Sequence, residues 1–152
     1  MDGLNLMIAA ELERIRKETD SDFTAFAAPR RDESSWRWTY ASGSLNGRYA
    51  LLAVKPGRGI VGAALRTERV IVLDRHRHAL DLRKEDSPLL MAERLEAVAA
   101  VPVLLPNGPQ GVLLLGARSP MDYDSASIEK LYESAKRLSS VFSQAADNPS
   151  VS

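Results

Sequence analysis

The chain reads as an α+β domain built on a mostly antiparallel sheet, with one helix at each end. Three observations predict this class. Leu4, Ile8, Leu12 and Ile15 recur at helical spacing near the N-terminus, and Ile128, Leu131, Tyr132, Ala135, Leu138, Phe142 and Ala145 do the same near the C-terminus. Between them lie short apolar runs separated by Gly, Pro, Asn and Asp, the punctuation of strands and turns. No strand–helix–strand unit repeats, so a wound parallel sheet is not expected.

The elements follow in order. Residues 4–19 are expected to form an amphipathic helix. Residues 22–28 alternate Phe23, Ala25 and Ala27 against Thr24 and Phe26, as a short strand does. After a polar turn, residues 36–42 form a second strand that carries Trp36, Trp38 and Tyr40 on one face. Residues 49–54 read as a buried strand ended by Pro56 and Gly57, residues 59–66 as a short helix, and residues 70–74 as another strand. The charged stretch 75–87 has no period and reads as a surface connection. Ser87 as an N-cap and Pro88 at the first helical position open a helix over 87–96. The apolar segments 97–106 and 110–118 flank the turn Pro106-Asn107-Gly108-Pro109 and read as a hairpin. A long helix follows Asp124. Residues 1–146 are expected to be one domain and 147–152 a frayed tail.

Composition narrows the function. At 152 residues with 45% hydrophobic side chains, the chain can bury a core. Twenty basic and twenty acidic side chains cancel, which argues against nucleic acid as the main partner. No apolar run is long enough to span a bilayer. The N-terminal stretch lacks a secretory pattern, so a cytoplasmic location is expected. With no cysteine, thiol catalysis, disulfides and thiolate metal sites are excluded.

One motif invites a specific reading. Gly57-Arg58-Gly59-Ile60-Val61-Gly62 matches G-x-G-x-x-G, the dinucleotide-binding turn. It follows the third strand rather than the first, opens a helix of only about two turns, and Asp74 arrives too early for a ribose-binding acid. Dinucleotide binding is therefore not expected. His76 and His78 alternate with Arg75 and Arg77, and no third ligand accompanies them, so they read as a solvated loop rather than a zinc site. No nucleophile elbow, zinc-protease helix or phosphate-binding loop occurs. A binding module is the default, and neither a catalytic group nor a cofactor is expected.

The motifs taken together resemble the GAF domain family. The stretches are "PGRGIVGAALRTERVIVLD", "SPLLMAERLEAVAAVPVLLPNGPQGVLLLGARS" and "MDYDSASIEKLYESAKRLSSVF". The resemblance implies a sheet with the terminal helices on one face and a ligand pocket roofed by short helices on the other. A narrower likeness is to the NreA-type nitrate receptors, stand-alone GAF proteins that bind nitrate and modulate a sensor histidine kinase. It rests on Arg37-Trp38-Thr39-Tyr40, on the stretch from Gly43 to Tyr49, and on Pro56 to Gly62. In that family an indole and backbone amides at two helix starts hold the anion, which implies Trp38, Ile60, Val61, Pro88 and Leu89 here. The chain departs at Ser87, where that family carries an aromatic residue before the proline.

The residues support such a site on physical grounds. A helix N-terminus leaves amides unpaired and carries about +0.5 charge, so it attracts an anion without a basic side chain. Glycine lets the backbone turn tightly and approach a ligand. Pro88 has no N–H, so Leu89 and Leu90 are the donors there. The Trp38 indole only donates. The same residues also read as plain core and a tight turn. The expectation is a non-enzymatic sensor of a small anion, nitrate first, that acts on a partner kinase. Its rivals are a GAF module for a nucleotide or organic acid, a GAF-type methionine sulfoxide reductase (a chemistry that needs cysteine), and a dimerisation module. The terminal helices are expected to pack side by side, away from the pocket, and to offer a surface for a homodimer.

Overall fold

The computed structural model describes residues 3–29, 35–74, 87–106 and 111–147. Six strands form one antiparallel sheet: β1 (Phe23–Pro29), β2 (Trp36–Ser42), β3 (Ala53–Val54), β4 (Ile71–Asp74), β5 (Ala97–Val103) and β6 (Gly111–Ala117). Their spatial order is β3-β2-β1-β6-β5-β4. Among the described residues, the α-helices are α1 (Gly3–Glu18), α2 (Gly59–Thr67), α3 (Ser87–Ala92) and α4 (Ser125–Asp147). Strand β6 is buried along its whole length and β1 along most of it, because both faces of the sheet are covered.

The α1–α4 pair covers one face. Ile8, Leu12 and Ile15 from α1 meet Leu131, Ala135 and Leu138 from α4 over Phe26, Val101, Leu113 and Leu115. Phe26 and Phe142 stack with ring centroids 5.3 Å apart. Glu11 accepts from Ser134 and Arg137 across the pair, at 2.6 and 3.1 Å, and from Arg14 on its own helix at 2.6 Å. Thr24 Oγ1 donates to Leu12 O at 3.0 Å and fastens α1 to β1. This is the side-by-side packing that the two periodic stripes predict.

The other face carries shorter elements. Helix α2 packs against β5 and also touches β4 and β6, and α3 lies against a 3-10 turn at Arg48–Leu51. Their apolar layer contains Trp36, Trp38, Ile60, Val61, Ala64, Leu89, Leu90 and Leu95 with Ala25, Val98 and Leu114 of the sheet.

The structure corrects three expectations. Residues 49–54 are not a strand: a 3-10 turn occupies Arg48–Leu51, Leu51 is 78% exposed, and only Ala53–Val54 pairs with β2. Tyr40 does not share a face with Trp36 and Trp38. The β1–β2 register shifts between Phe26 and Ala27, which face Tyr40 and Trp38, so Thr39 is the extra residue of a bulge. Tyr40 thereby joins the α1 side, where its hydroxyl donates to Asn5 Oδ1. Finally, α3 stops at Ala92 rather than at residue 96. Arg94 adopts a left-handed conformation (φ 55°), and Leu95 N bonds Leu90 O at 2.9 Å, which closes the helix and turns Leu95 into the apolar layer.

His76, His78 and most of the 75–87 connection lie outside the described residues, as do residues 107–110 of the hairpin turn and the tail beyond residue 147.

Candidate functional site

The glycine-rich turn forms the entry to α2. Lys55 O accepts from Arg58 N at 3.0 Å, closing the turn that contains Pro56 and Gly57. Arg58 is extended (φ −129°, ψ 163°) and makes no side-chain cap hydrogen bond. The first bond of the helix runs from Gly62 N to Arg58 O at 2.9 Å. The amides of residues 59–61 therefore precede the intrahelical ladder.

Two of the three glycines have different physical reasons. Gly59 has φ 64°, a conformation that L side chains rarely adopt. At Gly62, a Cβ would stand 2.6 Å from the carbonyl carbon of Gly57, so only a hydrogen fits where the helix crosses back over its own turn. The turn is thus compact enough to bring residues 59–61 into the apolar layer: Ile60 and Val61 are 1% and 3% exposed.

Trp38 reaches the same layer from β2. It is 5% exposed, and no described residue accepts a hydrogen bond from its indole N–H. Leu89 and Leu90 come from α3 and are likewise buried. Pro88 is exposed and contributes no amide. Of the five residues singled out in the sequence, four (Trp38, Ile60, Val61 and Leu89) therefore lie in one buried layer, and Pro88 sits at its edge. The arrangement offers neutral donors and apolar walls. The described residues that form this layer are apolar. Among the described residues, no group of three or more His, Cys, Asp or Glu side chains is placed to hold a metal ion. No helix of the described chain is long and apolar enough to cross a membrane.

Sequence reasoning missed a polar cluster beside this layer. Glu93, directly after α3, is fully buried. Its carboxylate accepts from Arg118 Nη2 at 2.6 Å, Ser44 Oγ at 2.5 Å and Leu45 N at 3.0 Å. Arg118 also donates from Nε to Glu93 O at 2.8 Å and from Nη2 to Gly43 O at 2.9 Å, while its own amide donates to Asp22 Oδ2 at 2.7 Å. Both residues look like ordinary surface charges in the sequence. Their only local signal is the apolar setting of each: Glu93 follows Leu89-Leu90-Met91-Ala92, and Arg118 ends an apolar strand.

Comparison with known proteins agrees with this architecture. A family model described as "GAF domain" matches residues 7–142. Among solved structures, the NreA protein of Staphylococcus aureus, in a form mutated in its nitrate binding site, is 34% identical; the match covers 80% of this chain and 93% of that one, with a TM-score of 0.66. The GAF domain of an Acinetobacter phosphoenolpyruvate-protein phosphotransferase shares the fold at a TM-score of 0.76 and 18% identity, over 95% of this chain and 85% of that one. Free methionine-R-sulfoxide reductase from Neisseria meningitidis does so at a TM-score of 0.73 and 16% identity, over 95% of this chain and 80% of that one, so the same architecture also houses an enzyme. No curated protein matches the chain significantly. With the model spanning most of its length and the fold in agreement, the chain belongs to the GAF domain family.

Proposed function

We propose that this chain is a sensor of a small monovalent anion, nitrate, and that it signals by modulating a partner sensor histidine kinase. The amides of Ile60 and Val61 at the start of α2 hold the anion, joined by the Trp38 indole N–H and the Leu89 amide. The observation that carries this reading is the meeting of Trp38, Ile60, Val61 and Leu89 in one buried layer beside the start of α2, in a chain 34% identical to a protein with a nitrate binding site. The physical fit is specific in kind. Backbone donors provide a partial positive charge of about 0.5, enough for a weakly hydrated monovalent anion. A phosphate would leave its extra charge uncompensated among apolar walls, a costly state without Lys or Arg.

Calorimetric titration with nitrate, nitrite, chloride, phosphate, cyclic nucleotides and organic acids tests the proposal. Nitrate is expected to bind and phosphate not to. Binding by a nucleotide or organic acid instead, with none by nitrate, would replace the ligand while keeping the site. The kinase partner rests on the likeness to NreA-type receptors, and nitrate-dependent autophosphorylation of a cognate kinase mixed with this chain is its test. A homodimer through the outer surface of α1 and α4, where Leu6 and Met7 are exposed, belongs to the same proposal. Light scattering that gave a monomer at every accessible concentration would remove it.

A further inference from the structure

We infer that Glu93 and Arg118 are positioning residues that fasten α3 and the 43–48 loop into a single unit, through which occupancy of the buried layer reaches that loop. The regulatory half of this inference rests on the anion-sensing reading above; the mechanical half does not.

The loop has little else to hold it. Residues 45–48 are exposed, and the hydrogen bonds that join residues 43–46 to the rest of the chain converge on one place. Ser44 Oγ and Leu45 N donate to the Glu93 carboxylate, Asn46 Nδ2 donates to Ala92 O at 3.3 Å, and Arg118 Nη2 donates to Gly43 O. Inside the loop, Gly47 N donates to the same Ser44 Oγ at 2.9 Å and Arg48 N to Asn46 Oδ1 at 3.0 Å. On the other side, α3 ends in the bonds from Glu93 N to Leu89 O and from Leu95 N to Leu90 O, both 2.9 Å. Leu89 and Leu90 project from this helix into the layer that contains Trp38, Ile60 and Val61. Glu93 is therefore the joint between a helix packed on the candidate site and a surface loop. A fully buried carboxylate is costly unless it is paired and hydrogen-bonded, and its pairing here spends every partner on linking these two segments and the end of β6. An apolar residue could close the helix as well, but it could not hold the loop.

Hydrogen–deuterium exchange on the whole chain, with and without nitrate, tests the joint. Without ligand, Glu93→Gln is expected to speed exchange at Leu45, Gly47 and Arg48 and at Glu93 and Leu95 together, by about tenfold or more, while the α1 and α4 amides stay unchanged. Acceleration of only one of the two segments, or of neither, would overturn the joint. With nitrate, both segments of the wild type are expected to slow, whereas in Glu93→Gln the slowing stays with α3. Nitrate that slows α3 but not the loop in the wild type would overturn the relay. If nitrate does not bind the wild type at all, the anion reading fails, and the ligand-free comparison still decides the joint. Should Glu93→Gln not fold, Ser44→Ala combined with Asn46→Ala removes two loop-side bonds at accessible positions and is read in the same way.

Discussion

The two faces of the sheet are built by different means. On the α1–α4 face, long helices bury large side chains, and the hydrophobic effect acts through Leu12, Phe26, Leu131 and Leu138, all at most 1% exposed. On the α2–α3 face, the helices span 9 and 6 residues, too short to be stable alone. Their positions are set by a left-handed glycine, a close backbone crossing at Gly62 and an ion pair whose carboxylate is buried. The first face tolerates error in any one contact because many contacts agree. The second depends on a few geometric conditions, each of which also shapes the candidate site. Stability and binding should therefore be separable by mutation.

The largest expected effect comes from the helix face. Leu138→Ala removes a fully buried side chain and should cost about 2–5 kcal/mol, measured by urea unfolding. The folded fraction should bind nitrate as the wild type does, since Leu138 belongs to the other apolar layer. Equal losses of affinity and stability in this variant would erase the contrast between the faces.

Next come two substitutions on the site face. Gly59→Val forces a β-branched residue to φ 64°, at about 1–3 kcal/mol of strain. A typical domain has about 5–15 kcal/mol of stability, so the fold should survive by far-UV circular dichroism while nitrate binding is lost. Unchanged affinity in a folded variant would show that the glycine serves only the turn. Trp38→Phe keeps most of the ring and deletes one donor. A hydrogen bond to a charged group is worth about 1.5–3 kcal/mol, so nitrate should bind roughly 10- to 150-fold more weakly by calorimetry. Wild-type affinity would reduce Trp38 to a core residue.

A smaller effect concerns alkaline pH and returns to the helix face. Tyr123 hydrogen-bonds Ser21 Oγ at 2.9 Å, and Ser21 in turn meets Thr19 Oγ1 at 2.8 Å. Burial, only partly opposed by the Ser21 bond and reinforced by Asp22, pushes the phenol well above its ordinary value of 10.0. The unfolded chain therefore loses this proton near pH 10 while the folded chain keeps it. Stability from this group is complete below pH 10 and falls above it, by up to about 1.4 kcal/mol per pH unit. Tyr123→Phe should lose this slope in urea unfolding series between pH 9 and 11; an unaltered slope would assign the alkaline loss elsewhere.

The contrast also explains what the sequence revealed. Long periodic stripes need no tertiary information, and both terminal helices were legible to within a residue or two at their ends. The glycine pattern located the turn, and the G-x-G-x-x-G spacing marked the backbone crossing without revealing its cause. The failures fall where a local signal was overridden. "YALLAV" is apolar without a period, and its place at the sheet edge lets Leu51 face solvent in a 3-10 turn. A one-residue bulge sent Tyr40 to the opposite face, which strict alternation cannot foresee. The Glu93–Arg118 pair spans a separation of 25 residues, and charge alone gives no sign of burial.

The smallest expected effect separates two ways of holding an anion. Arg58 is the one cation within the glycine motif, and a side-chain clamp would require it. Its side chain is exposed and makes no cap to the helix start, whereas the amides that follow it lie in the buried layer. A unit charge acting through water over roughly 8 Å is worth about 0.5 kcal/mol before screening, and salt at physiological strength removes much of that. Amides at a helix start would keep their full effect on an anion held there, because they cannot reorient. Arg58→Ala should therefore change nitrate affinity by no more than about twofold at physiological ionic strength, and its remaining influence should vanish as salt is raised. The informative comparison is with Trp38→Phe on the same titration. If Arg58→Ala abolished binding while Trp38→Phe preserved it, the anion would be held by a surface cation, and the buried layer of Trp38, Ile60, Val61 and Leu89 would be core and nothing more.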